Sequence, residues 1–215
     1  MSRTVFIKIA VGALAISLFG YLFVRSVLNV QSTPYTVASR HLTPWTLALE
    51  SPTTPSGALL VLRPPPAFAT DLFGQIFSRV SESLTAPNPV SMPLLLRGEF
   101  ERTLSGSATP DLLLALARET GLESAAPAPR CLASRRISEP GSTRQMFVAV
   151  FDFPAFQAFR QRVRQRWPSS NADAVFDPAA LSPAVLVAST HGDFDSWYPI
   201  RVDQASDCLA PITVQ

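Results

Sequence analysis

Residues 5–24 form an almost unbroken apolar run, with Lys8 as its only charge. A helix needs about 20 such residues to cross a hydrocarbon core of roughly 30 Å. In hydrocarbon every backbone polar group must be paired within the segment, so the run is expected to be a single transmembrane helix. Arg3, Lys8 and the α-amino group precede its centre, and a short basic tail favours the cytoplasmic side. Lys8 is tolerated because a long side chain near a helix end reaches the headgroups. The expected organisation is a cytoplasmic tail at 1–4, a signal anchor at 5–24, a juxtamembrane linker at 25–34 and an extracytoplasmic domain at 35–215. The rival reading is a cleaved secretory signal peptide. The sequence after the run, Arg25-Ser-Val-Leu-Asn-Val, carries no small-x-small cleavage site, and no Cys follows for lipoprotein attachment. Both readings carry the rest of the chain out of the cytoplasm, to the outer side of a plasma (inner) membrane.

That placement changes the meaning of the charge. The whole chain has 18 basic and 16 acidic residues. Arg3, Lys8 and Arg25 belong to the anchor and its flanks; 18 less these three leaves 15 basic residues against 16 acidic, a net −1. A nucleic-acid partner needs a basic footprint, which the outer domain as a whole lacks. Its length suits one domain. Cys131 and Cys208 are the only cysteines, and a single pair in an exported domain is expected to form a disulfide. Closing so long a loop is worth about 4–5 kcal/mol in the chain-entropy model. Two free thiols are the alternative.

Periodicity and punctuation predict an α+β domain. Strands are expected at 45–50, 58–63, 92–102, 131–137, 145–151, 184–189 and 197–202, with a strand-like stretch at 174–176. Pro64-Pro65-Pro66 reads as a polyproline II turn-out. A first helix is expected at 71–84 with Thr70 as its cap. A second starts at Thr109 (N-cap) and Pro110 and ends at Gly121, with Leu122 placed for a Schellman contact. A third is expected after Asp152 as cap and Pro154, carrying Phe156, Phe159, Val163 and Trp167 on one face. Glu139-Pro-Gly141-Ser fits a hairpin turn. From residue 94 the order is strand, helix, strand, strand, helix, strand, a ferredoxin-like βαββαβ succession with extra N-terminal strands and a helix.

Two groups of residues are candidates for function. Ser189-Thr-His191-Gly-Asp193-Phe-Asp195 follows an apolar strand. His191 with Asp193 and Asp195 has the residue types for a base with orienting carboxylates, and Asp152 or Glu99 could join it in a cleft. The same sequence is ordinary turn chemistry. The other group is Arg160, Arg162, Arg164 and Arg166 on the third helix, two lines of charge flanking the apolar face. They suit an acidic envelope protein or anionic lipid headgroups, or simply keep the edges of a half-buried helix solvated. No nucleophile elbow, phosphate loop or dinucleotide fingerprint occurs, and no paired Cys or His cluster marks a metal site, so no cofactor or metal is expected. The sequence therefore points first to a membrane-tethered interaction or structural module without enzymatic activity. A tethered hydrolase using the His191 loop and a ligand-sensing domain are the alternatives.

Overall fold

The computed structural model describes residues 12–14, 16–22, 24, 33–53, 57–80, 82–139, 142–168, 175–192, 201–202 and 204–215. The chain divides into two units, Met1–Thr33 and Pro34–Gln215. In the first, residues 12–14, 16–22 and 24 are helical. Among the described residues no helix is long and apolar enough to cross a membrane. The expected tail, seven residues at the start of the expected span (5–11) and most of the linker lie outside the described residues.

The second unit is a mixed α+β domain. Its strands are β1 (Tyr35–Val37), β2 (Thr46–Leu49), β3 (Ala58–Arg63), β4 (Met92–Leu96), β5 (Ala128–Glu139), β6 (Ser142–Asp152), β7 (Ala184–Ser189) and β8 (Cys208–Val214). Its longer helices are α1 (Pro66–Arg79), α2 (Arg97–Thr103), α3 (Pro110–Glu119) and α4 (Pro154–Arg166). One sheet has the order β1-β8-β5-β6-β7 and the other β2-β3-β4. From β4 to β7 the strands follow the expected succession, but two helices, α2 and α3, stand between β4 and β5 where one was expected, and the pairing does not confirm a ferredoxin-like sheet. There β6 lies between β5 and β7, and β4 pairs with β3.

Alternation explains how β6 divides the core. Phe147, Ala149 and Phe151 face a large cluster with Trp45, Phe68, Leu72, Phe156, Phe159 and Val163. Met146, Val148 and Val150 face the opposite way, toward Cys131, Ala133 and Leu186. A period of two puts successive side chains on opposite faces, and both faces here are covered. Trp45, Phe68 and Phe151 make an aromatic centre, with Trp45 edge-on to Phe151 at 5.3 Å.

The second helix follows its punctuation closely. The Thr109 hydroxyl accepts the Leu112 N–H at 3.3 Å, and Pro110 is the first helical residue. Gly121 has φ +71°, and its N–H donates to the Arg118 carbonyl while Leu122 N–H donates to that of Ala117. This is the paired bonding of a Schellman ending, which Gly reaches without a Cβ penalty. Replacing the cap with Thr109→Ala is expected to cost about 1 kcal/mol, read as a lower denaturant midpoint at unchanged m-value.

Several boundaries differ from expectation. Helix α1 begins at Pro66, not after Thr70, because a proline with fixed φ is preorganised for the first helical position. Thr70 lies inside the helix, with its hydroxyl donating to the Pro66 carbonyl. Strand β4 stops at Leu96 and the chain turns helical at Arg97, so Glu99 sits on α2. Asp152 is the last residue of β6; Phe153 takes the cap position of α4. Residues 175–177 form no strand. Of the strand expected at 197–202, only 201 and 202 are described, and neither is in a strand.

The sequence predicts neither β1 nor β8, and the longer of the two is β8. It switches neighbours along its length: Cys208, Ala210 and Pro211 pair with β5, and Ile212 to Val214 pair in parallel with β1. Pro211 sits at the end of the β5 pairing, where its missing N–H is least disruptive. The Cys131–Cys208 disulfide joins β5 to β8 with Cα atoms 5.8 Å apart. The expected pairing is therefore present.

Beside β8, Tyr35 is buried under the Arg79 guanidinium, 4.0 Å from the ring centre. Burial raises the phenol pKa above its ordinary 10.0, and Arg79 pulls it partly back. The folded state thus holds the phenol proton more tightly than the unfolded chain. Stability from this group is full below pH 10 and declines as pH rises above it. Tyr35→Phe is expected to flatten that part of the decline in a pH series of denaturation midpoints.

Candidate interaction surface

The four arginines of α4 do not share one environment. Arg160 is fully buried, which corrects its placement on a solvated edge. Its Nη2 donates to Glu99 Oε1 at 2.5 Å and its Nη1 to Glu99 Oε2 at 3.2 Å. Nη1 also donates to the Leu94 carbonyl, Nη2 to that of Asp177 and Nε to that of Pro178. All five guanidinium N–H groups are thereby used. Phe176 lies 4.7 Å below the guanidinium carbon. This cation ties α4 to α2, β4 and the 177–178 loop. Arg162, Arg164 and Arg166 are exposed. Arg166 pairs with Glu119 at 3.5 Å, leaving Arg162 and Arg164 as the candidate contacts.

His191 follows β7 in a tight turn. Its N–H donates to Ser189 Oγ, whose hydroxyl donates to the His191 carbonyl. Its Nδ1 is 3.2 Å from Thr190 Oγ1. Asp193 and Asp195 lie outside the described residues. Asp152 is exposed, and Glu99 is committed to Arg160. Among the described residues no group of three His, Cys, Asp or Glu could hold a metal ion.

Among the described residues, His41 is the histidine that meets a carboxylate. His41 Nδ1 lies 2.5 Å from Asp71 Oδ2, and its Nε2 accepts from Arg40 Nε at 3.2 Å. The Arg40 bond requires a lone pair on Nε2, so the proton sits on Nδ1 and faces Asp71. The pair is separated by 30 residues, and only the packing of α1 beside the 39–41 turn brings it together.

The outer sides of the edge strands are occupied. Gln75 mimics a neighbouring peptide: its Oε1 accepts the Thr36 N–H and its Nε2 donates to the Thr36 carbonyl on β1. Glu123 accepts the Leu47 N–H on β2. Arg160 takes the Leu94 carbonyl on β4, and Thr85 bridges Ser189 on β7 through two backbone bonds. Such plugs work against strand addition by another chain, leaving side-chain surfaces for recognition.

A groove of about 400 Å³ lies at the start of α1. The Pro64–Pro66 run and Phe73 line it, and so do Pro87 and Pro89 from a later stretch of the chain. Phe77 stacks on Phe73 with ring centres 6.1 Å apart. At 57 % exposure it is the most exposed large apolar side chain described in Pro34–Gln215. The sequence reading treated the proline triplet as a stiff turn and missed the groove, because Pro87 and Pro89 approach it only through tertiary packing. No protein-family model matches this chain, and neither a curated protein nor a solved structure does.

Proposed function

We propose that the chain is a single-pass, membrane-anchored protein of the bacterial envelope whose outer domain binds another envelope component and performs no catalysis. The disulfide is the observation that carries this reading. Such bonds persist in oxidising compartments, and the apolar run at 5–24 supplies both the export signal and the tether. The plugged strand edges favour recognition through side chains. Arg162 and Arg164 on α4 are the contacts proposed for an acidic partner. The near-neutral charge of the outer domain argues against nucleic acid.

The test is crosslinking of the full-length chain in its native membranes. The expected result is a discrete adduct that weakens with added salt and is lost in Arg162→Glu/Arg164→Glu, a variant whose changes lie on exposed positions. Recovery of monomer alone at all salt concentrations contradicts the proposal.

A further inference from the structure

We propose that the groove at the start of α1 binds a small amphiphile, an acyl chain ending in a carboxylate. This site is separate from the α4 arginines and does not depend on them. The volume of about 400 Å³ falls within the roughly 300–1,000 Å³ typical of small-molecule sites. The walls are preformed. Pro64, Pro65, Pro66, Pro87 and Pro89 have fixed φ angles, so little ordering is needed when a ligand enters. Prolines and Phe73 offer apolar faces with few hydrogen-bonding groups, which suits a hydrocarbon body.

The chemistry of the head follows from the rim. Arg63 lines the groove, and no acidic residue does. Its Nη2 is held by Glu50 Oε1 at 3.0 Å, while its Nε has no hydrogen-bond partner among the described residues. Arg97 also converges on this corner, donating from Nη2 to the Glu50 carbonyl at 2.9 Å. Of the residues that line the groove Arg63 alone is charged, so the lining offers a cation and no anion. An incoming carboxylate gains charge-assisted hydrogen bonds from the Arg63 guanidinium, whose side chain is 38 % exposed. Thr70 and Asn88 add polar groups at the same lining. Apolar walls with a cation at one end match an amphiphilic anion, whereas a neutral alkane or a cationic amphiphile leaves the corner unmatched.

Photolabelling of the full-length chain in lipid nanodiscs tests the site, with a diazirine-bearing decanoate as probe and peptide mass spectrometry as readout. The label is expected to concentrate in residues 63–73 and 86–90. Decanoate should compete about tenfold better than decanol, the value of one charge-assisted hydrogen bond. Arg63→Gln should reduce decanoate to the level of decanol. Thr70→Trp, at an exposed position of α1, should fill the mouth and remove the label at an unchanged melting temperature; it serves as the independent variant should Arg63→Gln unfold the domain. Label confined to the apolar run at 5–24, or equal competition by acid and alcohol, overturns the proposal. Stronger competition by a short apolar peptide with a free C-terminus also overturns it and assigns the groove to a peptide.

Discussion

Arg160→Met is expected to destabilise the domain by about 3–5 kcal/mol, the cost of removing one partner from a buried ion pair. The large effect has two sources. Glu99, itself nearly buried, is left as an uncompensated carboxylate. The carbonyl oxygens of Leu94, in a buried bond, and of Asp177 and Pro178, in partly buried ones, lose a donor at the same time, and an unsatisfied buried acceptor costs about 1–3 kcal/mol when no water replaces the donor. The second source distinguishes this pair from one that exchanges neutrally for apolar residues. Glu99→Met/Arg160→Met removes the orphaned carboxylate but not the three orphaned carbonyls, so it should recover only part of the loss. Chemical denaturation of the single and double variants gives the comparison. A double variant as stable as the parent would show that the carbonyls are satisfied in another way.

Opening the Cys131–Cys208 bond is the second large effect. With a sequence separation of 77, the chain-entropy model gives about 4–5 kcal/mol. At roughly 2–4 °C per kcal/mol for a domain of this size, the melting temperature should fall on the order of 10–15 °C. The damage should also be local. The disulfide anchors the first residue of β8, and among the described strands β8 alone pairs with β1. Hydrogen exchange in the Cys131→Ser/Cys208→Ser variant should therefore rise most in residues 35–37 and 208–214. The antiparallel β5–β6 ladder, which has its own long register, should stay protected. Uniform loss of protection would mean that the bond stabilises the whole domain and not this corner.

The elements most legible in the sequence were those whose signals are local. β3 and β7 are short apolar runs closed by Pro64 and opened after Pro183, and both fall where the pattern puts them. The Thr109, Pro110 and Gly121 signals bracket α3 within its own turns. Tertiary pairing decided the rest. Pro211 argues against an interior strand until the change of partner at that residue is known. Glu99 read as part of a strand because its helix is short and its role is to meet a cation 61 residues away.

Arg160 is the instructive error in the candidate site. Phe156, Phe159, Val163 and Trp167 were correctly placed on one buried face. Position 160 is four after Phe156 and three before Val163, at the centre of that same stripe. Its charge outweighed its position in the sequence reading, although spacing alone places it inward. A buried arginine then demands an acid, and Glu99 was available in the sequence. No comparable signal existed for His41 with Asp71, or for the groove. Both depend on where α1 packs, which no spacing within either segment encodes.

The central claim is that a disulfide-closed domain stands on the outer side of a membrane, held by the apolar run at 5–24. Its most direct test is the redox state of Cys131 and Cys208 in the full-length chain, trapped by alkylation in carbonate-washed native membranes and read by mass spectrometry. The account predicts a chain retained in the membrane pellet that yields the Cys131–Cys208 linked peptide, with alkylation at either residue only after reduction. Both cysteines alkylated without reduction in the membrane-held chain would contradict it.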